Sequence, residues 1–145
     1  MIYLDTSFIV PRYIDEDSSQ AVEDVLLTFD LNEIAISYWT YVEFVSMLAR
    51  RIRMDEIDED DADQTMAMFE YDMRLSLNVL IPTISDYELA GSFLQKPRTG
   101  LRAGDALHLA IAYNNKAKFY TLDKLLVKIG PQFNIETTRL DFLDD

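Results

Sequence analysis

The chain has 145 residues, 49% of them hydrophobic, enough to bury a core as one domain over 1–145 without covalent staples. It has no cysteine, which excludes a disulfide framework and a thiolate zinc site. Its net charge of -13 excludes an all-round binder of nucleic acid, because affinity for phosphates is mostly electrostatic.

The charge is unevenly placed. Residues 96–128 hold seven basic side chains against Asp105 and Asp123, whereas residues 55–63 hold seven acids and no base. A polyanion therefore has one side of the molecule open to it. No apolar run approaches the roughly 20 residues of a bilayer span, and Met1 to Asp5 carry no basic leader, so a soluble cytoplasmic protein is expected, with no membrane partner.

Ile2-Tyr3-Leu4 reads as a short buried strand of a parallel sheet running straight into Asp5-Thr6-Ser7. Asp5 then stands at the carboxyl end of that strand, where open α/β sheets place their ligands. Residues 18–29 are predicted helical, with Ser18 or Ser19 as cap and Ala21, Val22, Val25, Leu26 and Phe29 at helical spacing. Ile34-Ala35-Ile36 is a second strand, and Ser37 caps the helix after it. Within 38–53, Val45, Leu48, Ala49 and Ile52 form the predicted core stripe. Glu43 falls nearly opposite that stripe, on a face with Met47 and Arg50, free either to line a cleft or to meet water.

Residues 55–77 read as an acid-led helix with Ala62, Met66, Phe69 and Met73 on its apolar side. Its acids do not make a calcium loop, because the glycine such a loop needs at its sixth position is missing. Val79-Leu80-Ile81 is a third strand, stopped by Pro82. Ser85 and Glu88 have the spacing of a capping box opening a helix over 86–95, with Leu89, Ala90, Phe93 and Leu94 inward.

After the loop 96–100, the run from Gly104 to Tyr113 is almost wholly apolar, as befits a central helix buried on all sides. Yet Asp105 stands in its first turn, where a carboxylate gains from the helix dipole. Phe119 to Leu122 is a fourth strand, again followed directly by an acid, Asp123. A short helix over 124–129, the breaker Gly130-Pro131 and an edge strand within 133–138 complete the chain. Strands alternating with helices predict an α/β sandwich with a mainly parallel sheet.

Right-handed crossovers bring the carboxyl ends of parallel strands to one rim, which groups Asp5 with Asp123. Helices that follow strands begin at the same rim, which adds Glu43 and Asp105. Four carboxylates at one cleft raise each other's cost of ionisation and call for a cation. With no cysteine and one histidine, that cation is Mg²⁺ or Mn²⁺. Such a site can activate water and hold a phosphodiester, and Arg102, Arg98, Lys124 and Arg50 are the candidates for contacting its phosphates. His108, one turn after Asp105, reads as a core histidine with a satisfied hydrogen bond, a role beside Asp105 being the alternative.

Four glycines rule out a Walker A loop and a dinucleotide fingerprint, and no G-x-S-x-G elbow exists. Asp5-Thr6-Ser7 lacks the second aspartate of a haloacid-dehalogenase phosphatase.

Leu4-Asp5-Thr6-Ser7, Tyr41-Val42-Glu43-Phe44, Gly104 to Ala110 and Thr121-Leu122-Asp123 together resemble the ordered motifs of the PIN-domain nucleases, whose small members are mostly VapC-type toxins. The resemblance implies a PIN-like three-layer sandwich and Mg²⁺- or Mn²⁺-dependent endoribonuclease activity, with a metal-activated water cutting RNA. It further implies a type II toxin that forms a homodimer and is inhibited by a cognate antitoxin whose tail enters the active site. Asp5, Glu43, Asp105 and Asp123 match the family's catalytic, metal-holding acids, and Thr6 or Ser7 its supporting hydroxyl. The alternatives are a PIN-fold nuclease of RNA processing without an antitoxin, and an inactive PIN-fold binding domain.

Overall fold

The computed structural model describes residues 1–140, so the last five residues of the expected domain lie outside the described ones. Five strands form one wholly parallel sheet: β1 (Ile2–Leu4), β2 (Ile34–Ser37), β3 (Asn78–Leu80), β4 (Lys118–Tyr120) and β5 (Thr137–Thr138). Their order is β3-β2-β1-β4-β5, which puts β1 at the centre. The helices are α1 (Thr6–Ile9), α2 (Ser19–Leu26), α3 (Tyr38–Arg53), α4 (Glu59–Leu75), α5 (Ile84–Leu94), α6 (Ala103–Asn114) and α7 (Lys124–Ile129).

The two-residue period of the strands sorts the core into two halves. Ile2, Leu4, Ile34 and Ile36 point to one face and pack with Phe8, Val22, Leu26, Phe44, Leu48 and Phe69 of α1 to α4. Tyr3, Ala35 and Phe119 point to the other and pack with Ala90, Phe93, Leu126 and the whole middle of α6. A sheet covered on both faces makes three layers, as expected. Ala106 to Ala112 are buried without interruption, so α6 is the central helix that its composition predicts.

Several local expectations shift. The core stripe of α3 is Thr40, Phe44 and Leu48, while Val45 is 40% exposed and Ala49 and Ile52 are only partly buried. That rotation of the helix turns Glu43 and Met47 to the flank of the packed stripe rather than away from it. The box that opens α5 is Thr83 with Asp86, two residues earlier than Ser85 with Glu88. Both pairs have the right spacing, but Asp86 is buried and also accepts a 2.7 Å bond from the Asn114 amide, which selects the earlier start. Leu94, at the far end of α5, is 36% exposed and does not point inward. The acid-led helix begins only at Glu59, because Asp58 caps it through the Asp61 N–H at 2.7 Å.

The Asp86–Asn114 bond joins the start of α5 to the end of α6, so these helices run antiparallel. α6 follows α5 and not a strand, and its first turn is placed at the rim by its contact with Glu43. Among the described residues no helix is long and apolar enough to cross a membrane.

Candidate active site

The sheet's carboxyl rim is stitched together by short polar side chains. Asp5 leaves β1, donates its N–H to the Tyr120 carbonyl at 3.1 Å, and caps α1 by accepting from the Phe8 N–H at 3.3 Å. Ser7 donates its hydroxyl to Asp5 Oδ1 at 2.8 Å and accepts the Leu122 N–H at 2.9 Å. Thr121 Oγ1 then accepts the Asp123 N–H at 3.0 Å, and Asp123 Oδ1 caps α7 through the Leu125 N–H at 2.7 Å. Asp5 and Asp123 thus share one rim, linked through Ser7, Thr121 and Leu122.

Glu43 reaches the same place from α3. Its Oε1 accepts the Thr6 hydroxyl at 2.6 Å and also meets His108 Nε2. The two hydroxyls after Asp5 therefore divide their work: Ser7 holds the first acid, and Thr6 holds Glu43. Asp105, at the third position of α6, accepts the Arg102 N–H at 3.4 Å. Gly104 beside it has no side chain to spare, since a Cβ there would stand 3.1 Å from Glu43 Oε2 and 3.2 Å from the Trp39 ring.

The electrostatics follow from burial. Asp5 is 5% exposed, and desolvation pushes its carboxyl up to about 6 against the pull of His108 and the Ser7 bond. Burial also raises Asp105, and the charges of Asp123 and Glu43 raise it further. Burial works to raise Glu43 too, but the bond and charge of His108 and the bond from Thr6 outweigh it and hold that carboxyl below its ordinary range. Asp105 consequently feels Asp123 and Glu43 as like charges. A site with that imbalance, built of hard oxygen donors, suits Mg²⁺ or Mn²⁺ chemically. Yet among the described residues no three His, Asp or Glu side chains are gathered into a set that could hold an ion. Glu43 Oε1 is held by His108 and Thr6, and Asp123 Oδ1 by its helix cap.

The expected cations divide between near and far. Arg102 and Lys124 are exposed at the first turns of α6 and α7, beside Asp105 and Asp123. Arg98 joins Lys96 and Lys128 around a groove of about 440 Å³ between residues 96–99 and α7, and Leu125, whose N–H Asp123 holds, also lines it. Arg50 is exposed seven residues beyond Glu43, roughly 10 Å along α3 from the rim. Lys116 and Lys118 lie at the opposite edge, where β4 begins, and Lys118 pairs with Glu136 at 3.7 Å. The basic stretch therefore surrounds the rim only in part.

Two further residues stand at the site, one weighed in the sequence and one not. His108 is both a buried histidine and a partner of a rim acid; its position one turn after Asp105 was the signal for the second role. Trp39 packs against Gly104 with its indole nitrogen buried and without a hydrogen-bond partner, and nothing in its sequence context points to the rim.

The family model described as PIN domain matches residues 2–130. The chain belongs to the PIN domain family. No curated protein sequence matches it, whereas solved structures do. It is similar in fold to the sarcin–ricin-loop-cleaving toxin VapC20 of Mycobacterium tuberculosis, with a TM-score of 0.73 and 17% identity over 90% of this chain and 95% of that one. It is also similar to FitAcB of Neisseria gonorrhoeae, with a TM-score of 0.72 and 15% identity over 96% and 97% of the two chains. VapBC2 of Rickettsia felis, solved on a DNA fragment from its promoter, gives 0.70 and 18% over 97% and 100%. At these identities the likeness establishes a shared PIN fold.

Proposed function

We propose that this PIN-domain protein is a divalent-metal-dependent endoribonuclease, the toxin of a type II toxin–antitoxin pair. The observation that carries the reading is the rim itself, where Asp5, Glu43, Asp105 and Asp123 arrive from four different elements at the carboxyl end of a parallel sheet. Asp5, Asp105 and Asp123, with Glu43, would hold Mg²⁺ or Mn²⁺. When bound, such an ion supplies polarisation of the scissile phosphodiester and activation of water. The chain's own residues do the rest. Ser7 fixes the Asp5 carboxylate, Thr6 and His108 fix Glu43, and Arg102 and Lys124 offer positive charge at the edge of the acids to a strand of RNA. The groove of Lys96, Arg98 and Lys128 extends that charge away from the rim, so phosphates flanking the cut have a place to lie.

The likeness to VapC20, a structure named as a toxin, and to the VapBC2 and FitAcB structures supports the toxin assignment, and with it we propose a cognate antitoxin, a homodimer and a cytoplasmic setting. One observation favours a second reading, a PIN-fold binding domain without catalysis, since no three candidate ligands are gathered among the described residues. The test separates the two. Purified protein is incubated with total RNA in Mn²⁺ or in EDTA, beside Asp105→Asn, and new 5′ ends are mapped. New ends in Mn²⁺ alone, absent with Asp105→Asn, support the nuclease; equal cleavage by Asp105→Asn removes it, and no cleavage by either leaves the binding domain.

A further inference from the structure

His108 is the single histidine of the chain, is 2% exposed, and has both ring nitrogens engaged. Its Nδ1 lies 2.7 Å from the Tyr3 hydroxyl, which lies 2.8 Å from Ser37 Oγ. Its Nε2 meets Glu43 Oε1, with Thr6 Oγ1 at 3.3 Å. A line of polar groups therefore runs from β2 through β1 and α6 to α3, inside the apolar layer that holds Tyr3 against Phe119. A histidine retained only to fill space has no need of a rim carboxylate on one nitrogen and a buried phenol on the other.

The directions of these bonds are constrained. An ionised carboxylate only accepts, so the hydrogen between His108 and Glu43 belongs to Nε2. Burial keeps the Tyr3 phenol protonated well above its ordinary range, and its oxygen stands 2.7 Å from Nδ1. Ser37 completes the line from the other side of the phenol. Ligands and near-ligands in metal sites are commonly held by such an outer layer of partners.

We propose that His108 is a positioning residue of the rim, an imidazole that is braced at Nδ1 by the Tyr3 hydroxyl and anchors the Glu43 carboxylate against the start of α6 through Nε2. Glu43 sits on a flexible stem at the protein surface. With Oε1 held by His108 and Thr6, its Oε2 is directed to the niche beside Gly104 and Trp39. Without the imidazole, that carboxylate is free to turn to solvent. The consequence for metal binding rests on the proposed nuclease reading; the state of the ring does not.

The lone histidine makes the test direct, because a long-range ¹⁵N–¹H correlation spectrum of uniformly labelled protein contains one imidazole. A hydrogen on Nε2 is expected, with the Nε2 signal moved by Glu43→Gln and the Nδ1 signal moved by Tyr3→Phe. Calorimetric titration of Mn²⁺ gives the second readout: Tyr3→Phe, which removes one oxygen and keeps the ring packing, is expected to weaken Mn²⁺ roughly tenfold, the lower end for losing an outer-layer partner. His108→Asn should weaken it at least as much. An Nε2 without a hydrogen, or an Nε2 signal that Glu43→Gln leaves in place, overturns the proposal. So does Mn²⁺ affinity unchanged in both variants. If the parental protein binds no Mn²⁺ at all, the nuclease reading fails, while the ¹⁵N result still decides the anchoring of Glu43.

Discussion

Two regions of this protein are rich in acids, and they are built in opposite ways. Residues 55–63 carry seven carboxylates in nine consecutive positions, and every one is exposed. They behave as a solvated helix start: Asp58 caps α4, and Glu59, Asp60 and Asp61 sit in its first turn, where the dipole favours them. The rim has only four acids, scattered from position 5 to position 123, yet it buries Asp5, half-buries the other three and ties them to hydroxyls, backbone amides and an imidazole. Density of charge along a chain is thus a poor guide to chemistry. What makes a site is charge withdrawn from water and held in place by other groups.

Substitutions at the two regions should separate them sharply. The largest effect is expected for Asp105→Asn, which keeps the shape of the rim and removes a charge. Metal-dependent cleavage of RNA should fall by about a thousandfold, as loss of several kcal/mol of transition-state stabilisation implies, with the circular dichroism spectrum unchanged. The same change at exposed Asp60 should leave cleavage as it was.

Asp5→Asn should abolish cleavage and make the protein more stable. Its carboxyl, ordinarily near 3.8, is held at about 6 in the folded chain. The folded state therefore binds the proton more readily. The stabilisation this brings is fully present below pH 3.8 and is lost as the pH rises through about 6. At neutral pH, without divalent ions, the buried charge costs on the order of 3 kcal/mol, so Asp5→Asn should melt roughly 10 °C higher. The gap should close towards pH 4, and a melting point that falls at pH 7 would contradict this account of the rim.

How much of this contrast was legible beforehand depended on the kind of signal involved. Asp5 and Asp123 could be placed because a short apolar run followed by an acid marks the end of a buried strand, and parallel strands share their rims. The central helix was readable because α6 has no polar face between Ala106 and Ala112. The phase of α3 was not, because Phe44 and Val45 are both apolar and only tertiary packing chooses between them. The start of α5 was ambiguous for a similar reason: Thr83 with Asp86 and Ser85 with Glu88 both satisfy the spacing, and the deciding partner, Asn114, lies 28 residues away from Asp86. Trp39 escaped assignment to the site, and His108 was read first as a core residue, because a side chain on an apolar helix face does not say what it meets across the fold.

Smaller effects test the periphery. Changing Lys96, Arg98 and Lys128 together to Gln should weaken binding of single-stranded RNA in EDTA. The slope of log affinity against log salt should fall by about 2 if all three cations meet phosphates; an unchanged slope places the strand elsewhere. At the acidic block, Asp58→Ala should cost about 1 kcal/mol through loss of the α4 cap, measured by urea unfolding, with no change in cleavage.

The most direct test of the difference between the regions is a calorimetric titration of Mn²⁺ into three proteins: the parental chain, Asp105→Asn, and a variant with Asp55, Glu56, Asp60 and Asp63 changed to their amides. Saturable binding in the first and third, and its loss in the second, is the predicted result. If the amide variant loses the ion while Asp105→Asn retains it, the ion belongs to the exposed block, and the rim is not the site claimed for it.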